Sequence, residues 1–266
     1  MSTRREVRLE RLCAPDVRAY MDQLNLLYIP IAPLEWHGPH LPYGTDPLNA
    51  YAVSLVAAEK FGGLVHPIVY AGTEVQRRPE LVAAFGLPPG TPVVGMDMPG
   101  LALKSFYMPP DAFRSVAAAI LQTAIAVGFT KIVIVNGHGA DEQKRILREL
   151  ADEMSGPEVA VLYFIALDTG DAEALRNIGH ADIFETEFSI ANTPELVDLG
   201  RLPKSGGIRC ADYAIVDSQT FEGIPTLDFT TRDDPRDADA ARGRDMVAKV
   251  VTRIGQVIRI TSPTER

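Results

Sequence analysis

An alternation constrains this 266-residue chain most: short apolar runs rich in β-branched residues recur between longer stretches of helical periodicity. Parallel strands need long connections, usually a helix, and a sheet covered on both faces wants strands that are apolar throughout. The runs at 26–32, 64–70, 132–135 and 159–167 are the predicted strands, flanked by Gly, Pro or Asn. Asp46-Pro47 predicts a cap and first turn for a helix over 48–61, stopping at Gly62-Gly63. A second helix is expected over 111–127, with Phe113, Val116, Ala117, Ile120, Ala124 and Val127 on one face. A third, over 141–154, turns Ile146, Leu147, Leu150 and Met154 inward and pairs Arg145 with Glu149 and Arg148 with Asp152 outward. The last is expected over about 237–258. The expected class is therefore α/β: residues 1–266 as one layered domain, with a mostly parallel central sheet flanked by helices.

Two stretches break this rhythm. Residues 74–110 are rich in Pro and Gly without a sustained period and are expected to form a long excursion from the domain. Residues 204–235, interrupted at Gly206-Gly207 and Gly223, are the second. Composition removes other possibilities. Thirty-five acidic against 26 basic residues give a net charge of −9, which opposes the phosphate attraction that nucleic-acid binders use. The longest apolar run, 159–167, is too short for a bilayer, and Arg4, Arg5, Arg8 and Arg11 lead into no signal-peptide core. The expectation is a cytoplasmic protein with no nucleic-acid or membrane partner. Cys13 and Cys210 are expected to be buried or inert thiols rather than a disulfide.

No phosphate loop, GxSxG elbow or HExxH helix is present, which leaves carboxylate and imidazole chemistry. The first cluster spans 33–46, just after a predicted strand. In an extended segment Glu35 and His37 project the same way, and the surrounding glycines and prolines let the chain curl so that Asp46 joins them. Glu, His and Asp converging on one point suit a divalent cation of the Zn, Mn or Fe type. Asp46 as a mere helix cap is the competing reading. The second cluster is Asn136-Gly137-His138-Gly139 at the carboxyl end of a strand, where open α/β sheets place their ligands. Its flanking glycines suggest close backbone approach, against the alternative of a histidine capping a turn. The third cluster holds His180, Glu185 and Glu187. A helix starting before His180 would rotate Glu185 about 140° away, so the helix should begin near Asp182 with His180 on the preceding loop. Failing that, Glu185 and Glu187 are solvated helix charges.

Taken in order, Glu-x-His-Gly-x-His-Leu-Pro-x-Gly-Thr-Asp, Asn-Gly-His-Gly and His-Ala-x-x-x-Glu-Thr resemble the creatininase (creatinine amidohydrolase) family. Asp234-Pro235-Arg236 and Gly243 echo its closing segment, so the resemblance spans about 25–258. It implies a single-domain α/β hydrolase with two divalent ions (Zn, Mn or Fe) per chain. Such enzymes cleave non-peptide or cyclic amide C–N bonds with hydroxide generated at the metal centre. It implies Glu35, His37, Asp46, His138 and Glu185 as ligands, Asp46 as the bridge, and His180 as a proton carrier with Glu185 sharing that catalytic role. It also implies a small amide-type substrate and a homo-oligomer, commonly a hexamer. Deformylation, peptide trimming and metal-dependent binding without turnover are the alternatives. Trp36, Ala140-Asp141 and Asp182 depart from the usual residues at their positions. Ala140 cannot act as a ligand, which leaves the metal carboxylate to Glu185. Trp36, Tyr43, Phe106 and Tyr107 are candidate pocket walls.

Overall fold

The computed structural model describes residues 5–84, 87–99, 101, 103–172, 179–211, 214–215, 226–227 and 234–260. The run at 26–32 becomes strand β1 (Leu26–Ala32), and all seven residues are buried. The other strands of its sheet are β2 (Leu64–Val65), β3 (Val69–Tyr70), β4 (Lys131–Asn136) and β5 (Ala160–Ile165). Every pairing among them is parallel, in the order β2-β1-β4-β5, with β3 also on β1. The single strand expected over 64–70 is split in two, and Pro30 accounts for the position of the break. Within β1, Tyr28 accepts a hydrogen bond from His66 N on one side and Ile31 accepts from Gly137 N on the other. Alternate residues face alternate neighbours, so the donor that Pro30 lacks falls on the β2/β3 side, where the ladder is interrupted.

Helix α1 (Ala14–Gln23) precedes the sheet, and α2 (Thr45–Phe61), α4 (Pro110–Val127) and α5 (Asp141–Met154) lie between its strands. Glycines end two of them, Gly62 at φ 86° and Gly128 at φ 108°. The inward face of α4 shifts slightly from expectation. Phe113, Ala117, Leu121 and Ala124 are buried, whereas Val127 is exposed. On α5, Ile146, Leu147 and Leu150 are buried and Arg145 pairs with Glu149 at 2.6 Å. The expected Arg148–Asp152 pair is replaced: the Arg148 guanidinium sits 4.9 Å over the Tyr163 ring.

The 74–110 excursion is more ordered than its composition suggests. It carries a short helix, α3 (Pro79–Ala84), and isolated bridges join Gln76 to Val94 and Thr73 to Met108. Val82, Val93, Met96 and Met98 form a small second core around Trp36. Helix α6 (Ile183–Asn192) packs on α7 (Ala240–Ile260). That contact requires Gly243, because a Cβ there would lie 2.0 Å from the Glu187 carbonyl oxygen. A small antiparallel sheet is formed by β6 (Ile208–Ala211), β7 (Ala214–Ile215) and β8 (Thr226–Leu227). Most of the 204–235 stretch lies outside the described residues, as does the Cys210 side chain. Cys13 is a free, exposed thiol at the N-cap of α1, so of the two expectations for it, buried or inert, the first does not hold. Among the described residues no helix is long and apolar enough to cross a membrane.

Candidate metal centre

The carboxyl ends of β1 and β4 lie side by side, with Ile31 opposite Asn136, so the loops that follow them emerge together. This register brings the first two sequence clusters into contact. Glu35 and His37 come from the loop after β1, Asp46 from the first turn of α2, and His138 from the loop after β4. All four are buried. Gly44, not Asp46, is the N-cap of α2, so the capping alternative does not hold. The Asp46 carboxylate instead reaches two imidazoles, with Oδ1 3.1 Å from His37 Nε2 and Oδ2 2.9 Å from His138 Nδ1. His138 Nδ1 also lies 3.0 Å from Glu35 Oε2.

Gly137 makes this approach possible. A Cβ there would stand 2.3 Å from the Asp46 carbonyl oxygen. The reading of Gly139 is corrected: a Cβ at that position would meet nothing within 4 Å, so only one of the two glycines serves close approach.

The third cluster follows the expected boundary. Asp182 caps α6, its carboxylate accepting from Glu185 N at 3.0 Å and from Gly179 N at 2.8 Å. This gives the departure at position 182 a local purpose. Glu185 turns inward, 3.8 Å from His37 Nε2, and accepts from Ala181 N at 2.5 Å. Ala181 makes that bond from the left-handed region, φ 54°, unusual for a residue with a Cβ. Neither glutamate is a solvated charge: Glu185 is buried in the cluster, and Glu187 is buried in an ion pair with Arg242.

Three sets of residues, each offering one imidazole nitrogen or carboxylate oxygen per residue, bring those atoms within 4.8 Å of one another: Glu35, Asp46 and His138; His37, Asp46 and Glu185; and Glu35, His37 and His180. The ring contacts prepare the nitrogens for such use. His37 Nδ1 lies 3.0 Å from the Glu35 carbonyl oxygen, which can only accept; Nδ1 therefore carries the proton and Nε2 faces the carboxylates. His180 Nε2 lies 2.5 Å from the Trp36 carbonyl oxygen in the same way, leaving Nδ1 as its free nitrogen. Burial and mutual charge set the protonation of the set. Burial opposes charge on His37, but Asp46 and its neighbours outweigh this and push it up to about 10. Burial likewise opposes charge on His138, and Glu35 and Asp46 hold it well above the ordinary histidine value. Against burial, the surrounding imidazoles draw Glu35 and Asp46 down. Burial lifts Glu185 to about 8, and burial with the nearby His37 charge brings His180 down to about 4.

Two contacts escaped the sequence reading. Tyr107 was expected only as a pocket wall, but its hydroxyl donates to Glu35 Oε1. His40, present in the first motif without an assigned role, is buried with Nε2 2.9 Å from Thr186 Oγ1. Because Thr186 Oγ1 itself donates to Asp182 O, His40 is the donor, and it ties the first loop to α6. The other wall candidates divide. The Trp36 ring stacks 6.4 Å from His180, Tyr43 donates to Leu103 O, and Phe106 is exposed. The cluster opens into a cleft that also carries Glu74, Arg77, Arg78, Lys144 and Arg148.

The family model for creatininase, described as creatinine amidohydrolase, matches residues 10–258. The chain belongs to the creatininase family. This is an amidohydrolase family that depends on metal, in keeping with the donor groups above. A mycofactocin precursor peptide peptidase from Mycolicibacterium smegmatis is 26% identical over 268 residues, covering 92% of this chain and 89% of the relative. A creatinine amidohydrolase from Pseudomonas putida is 28% identical over 193 residues, covering 66% and 68% respectively. A crystal structure of creatinine amidohydrolase superposes with a TM-score of 0.68 at 22% identity, covering 97% of this chain and 99% of the other. A putative creatinine amidohydrolase from Bacteroides fragilis gives 0.64 at 20% identity, covering 96% and 95%. These likenesses establish a creatininase fold.

Proposed function

We propose that this chain is a dinuclear metal-dependent amidohydrolase acting on non-peptide or cyclic amide C–N bonds of small molecules. The observation that carries the reading is the sharing of Asp46 between two donor triads, with each carboxylate oxygen facing a different imidazole. One ion would be held by Glu35, Asp46 and His138, the other by His37, Asp46 and Glu185. This set of hard carboxylates and imidazoles fits Zn, Mn or Fe. When bound, such ions supply Lewis-acid activation of water and of the scissile carbonyl. With two dications bound, the three carboxylates would leave about one positive charge, which would favour an anionic nucleophile in the pocket.

The protein's own groups do the rest. The Tyr107 hydroxyl and the Ala181 amide orient Glu35 and Glu185. His180, anchored through Nε2, presents Nδ1 to receive a proton and return it to the departing nitrogen. Glu185 shares this traffic from its ligand position.

The peptidase name of the M. smegmatis relative, aligned over nearly the whole chain, supports peptide trimming as the second reading. Metal-loaded protein assayed on cyclic amides, formamides and short peptides separates the two by which class turns over. Tight binding of one such compound without turnover would sink both in favour of a binding protein. For the centre itself, elemental analysis should find two equivalents in the parent chain and fewer in Glu35→Gln and His138→Ala; two equivalents in either variant would refute the ligand assignment. Assembly into a homo-oligomer, a hexamer on the family resemblance, belongs to the same reading, and sedimentation at the 29.0 kDa monomer mass would end it.

A further inference from the structure

We propose that Glu74 is a positioning residue for His138, accepting the proton on Nε2 and thereby holding Nδ1 toward Glu35 and Asp46. This rests on the metal-centre reading above. The other three imidazoles of the site each have an oxygen partner for one ring nitrogen: His37 the Glu35 carbonyl, His180 the Trp36 carbonyl, His40 the Thr186 hydroxyl. His138 differs in that its Nδ1 faces the Glu35 and Asp46 carboxylates, while its Nε2, like Nδ1 of His40, is buried without a hydrogen-bond partner. Glu74 Oε1 stands 3.9 Å from it, on a side chain only 11% exposed. A closure of about 1 Å would make the hydrogen bond, while the gap is too narrow for a bridging water. An imidazole whose Nδ1 serves a cation keeps its proton on Nε2, and a carboxylate acceptor for that proton fixes both tautomer and ring orientation.

The local framework places Glu74 for this task. Its neighbour Thr73 donates from N to Gln143 Oε1 at 2.9 Å, and Gln143 Nε2 donates to Asn136 Oδ1 at 2.8 Å. That same Asn136 oxygen accepts from His138 N at 3.1 Å, so one chain of hydrogen bonds joins residue 73 to the His138 loop. On its far side Glu74 Oε1 lies 3.7 Å from Arg77 Nη2, whose guanidinium also donates to Gly95 O at 2.8 Å. The excursion at 74–110 thus contributes a residue to the centre.

The test uses full-length metal-free protein titrated with Zn2+ against a chromophoric chelator, with ring 15N spectra of His138 read in parallel. Glu74→Ala should weaken zinc binding 10–100-fold, the usual effect of removing such a partner, and should disturb the Nε2–H tautomer. Glu74→Gln, which keeps an acceptor without the charge, should recover most of the affinity. Should the alanine variant not fold, Glu74→Met, of similar length and without that acceptor, should show the same loss. Unchanged affinity and tautomer in the acceptor-free variant, with two zinc ions in the parent chain, would overturn the proposal and leave the metal reading intact. A parent chain that takes up no zinc would overturn both.

Discussion

His180 and His37 lie with ring centroids 4.3 Å apart, yet their hydrogen bonds prepare them for different work. His37 faces two carboxylates through Nε2, whereas His180 is tethered to a backbone carbonyl and keeps Nδ1 free. Replacing His180 by Ala should therefore leave metal content unchanged and lower turnover ~10²-fold or more, the scale of a lost acid–base group. Undiminished turnover would remove it from the mechanism. Protonation offers a second check. His37 is held protonated up to about 10 and His138 is also raised, so a cation binding these nitrogens must displace their protons. Glu185, lifted to about 8, must lose its proton as well, so affinity should rise with pH through the neutral range, with roughly three protons released per chain at pH 7. Calorimetry in buffers of different ionisation enthalpy measures the release, and pH-independent binding would contradict it.

Local chemistry at the ends of elements decides how the site assembles. Asp182 was readable as the start of α6 because a short polar side chain ahead of Glu185 can bond its amide, and it does. Asp46-Pro47 looked equally like a cap and is not one: residues distant in sequence claim the carboxylate. A local pattern cannot weigh that competition. Gly137 belongs to the same scale. Gly137→Ala places a Cβ 2.3 Å from the Asp46 carbonyl oxygen and should destabilise the fold by roughly 2–3 kcal/mol or displace α2. Gly139→Ala, in open space, should be near neutral. Denaturant midpoints of the two variants compare them directly, and equal midpoints would refute the packing argument.

Across the whole molecule, the six residues Glu35, His37, Asp46, His138, His180 and Glu185 are drawn from four parts of the chain and meet only in the folded state. A cation held there binds the native chain and not the unfolded one. At 100 times its Kd it should add about 2.7 kcal/mol of stability. For a chain of this size that is a rise in Tm of roughly 5–10 °C, reversed by chelator. Differential scanning calorimetry with and without metal tests it; an unmoved Tm would mean that the donors do not bind ions as a set.

The apolar runs and helical periods determined the α/β class, the positions of β1, β4 and β5 and the start of α6, because each depends on side-chain spacing within a few residues. The motif spacings also marked the six residues that the fold gathers into one cluster, since carboxylates and imidazoles beside glycine turns are visible in one dimension. Only the tertiary structure decided the dual contact of Asp46, the Tyr107–Glu35 and His40–Thr186 bonds, and the approach of Glu74 to His138. Those pairings join residues from 9 to 146 positions apart, and the free energy that selects them comes from the register of β1 against β4 and the packing of loops over its carboxyl edge.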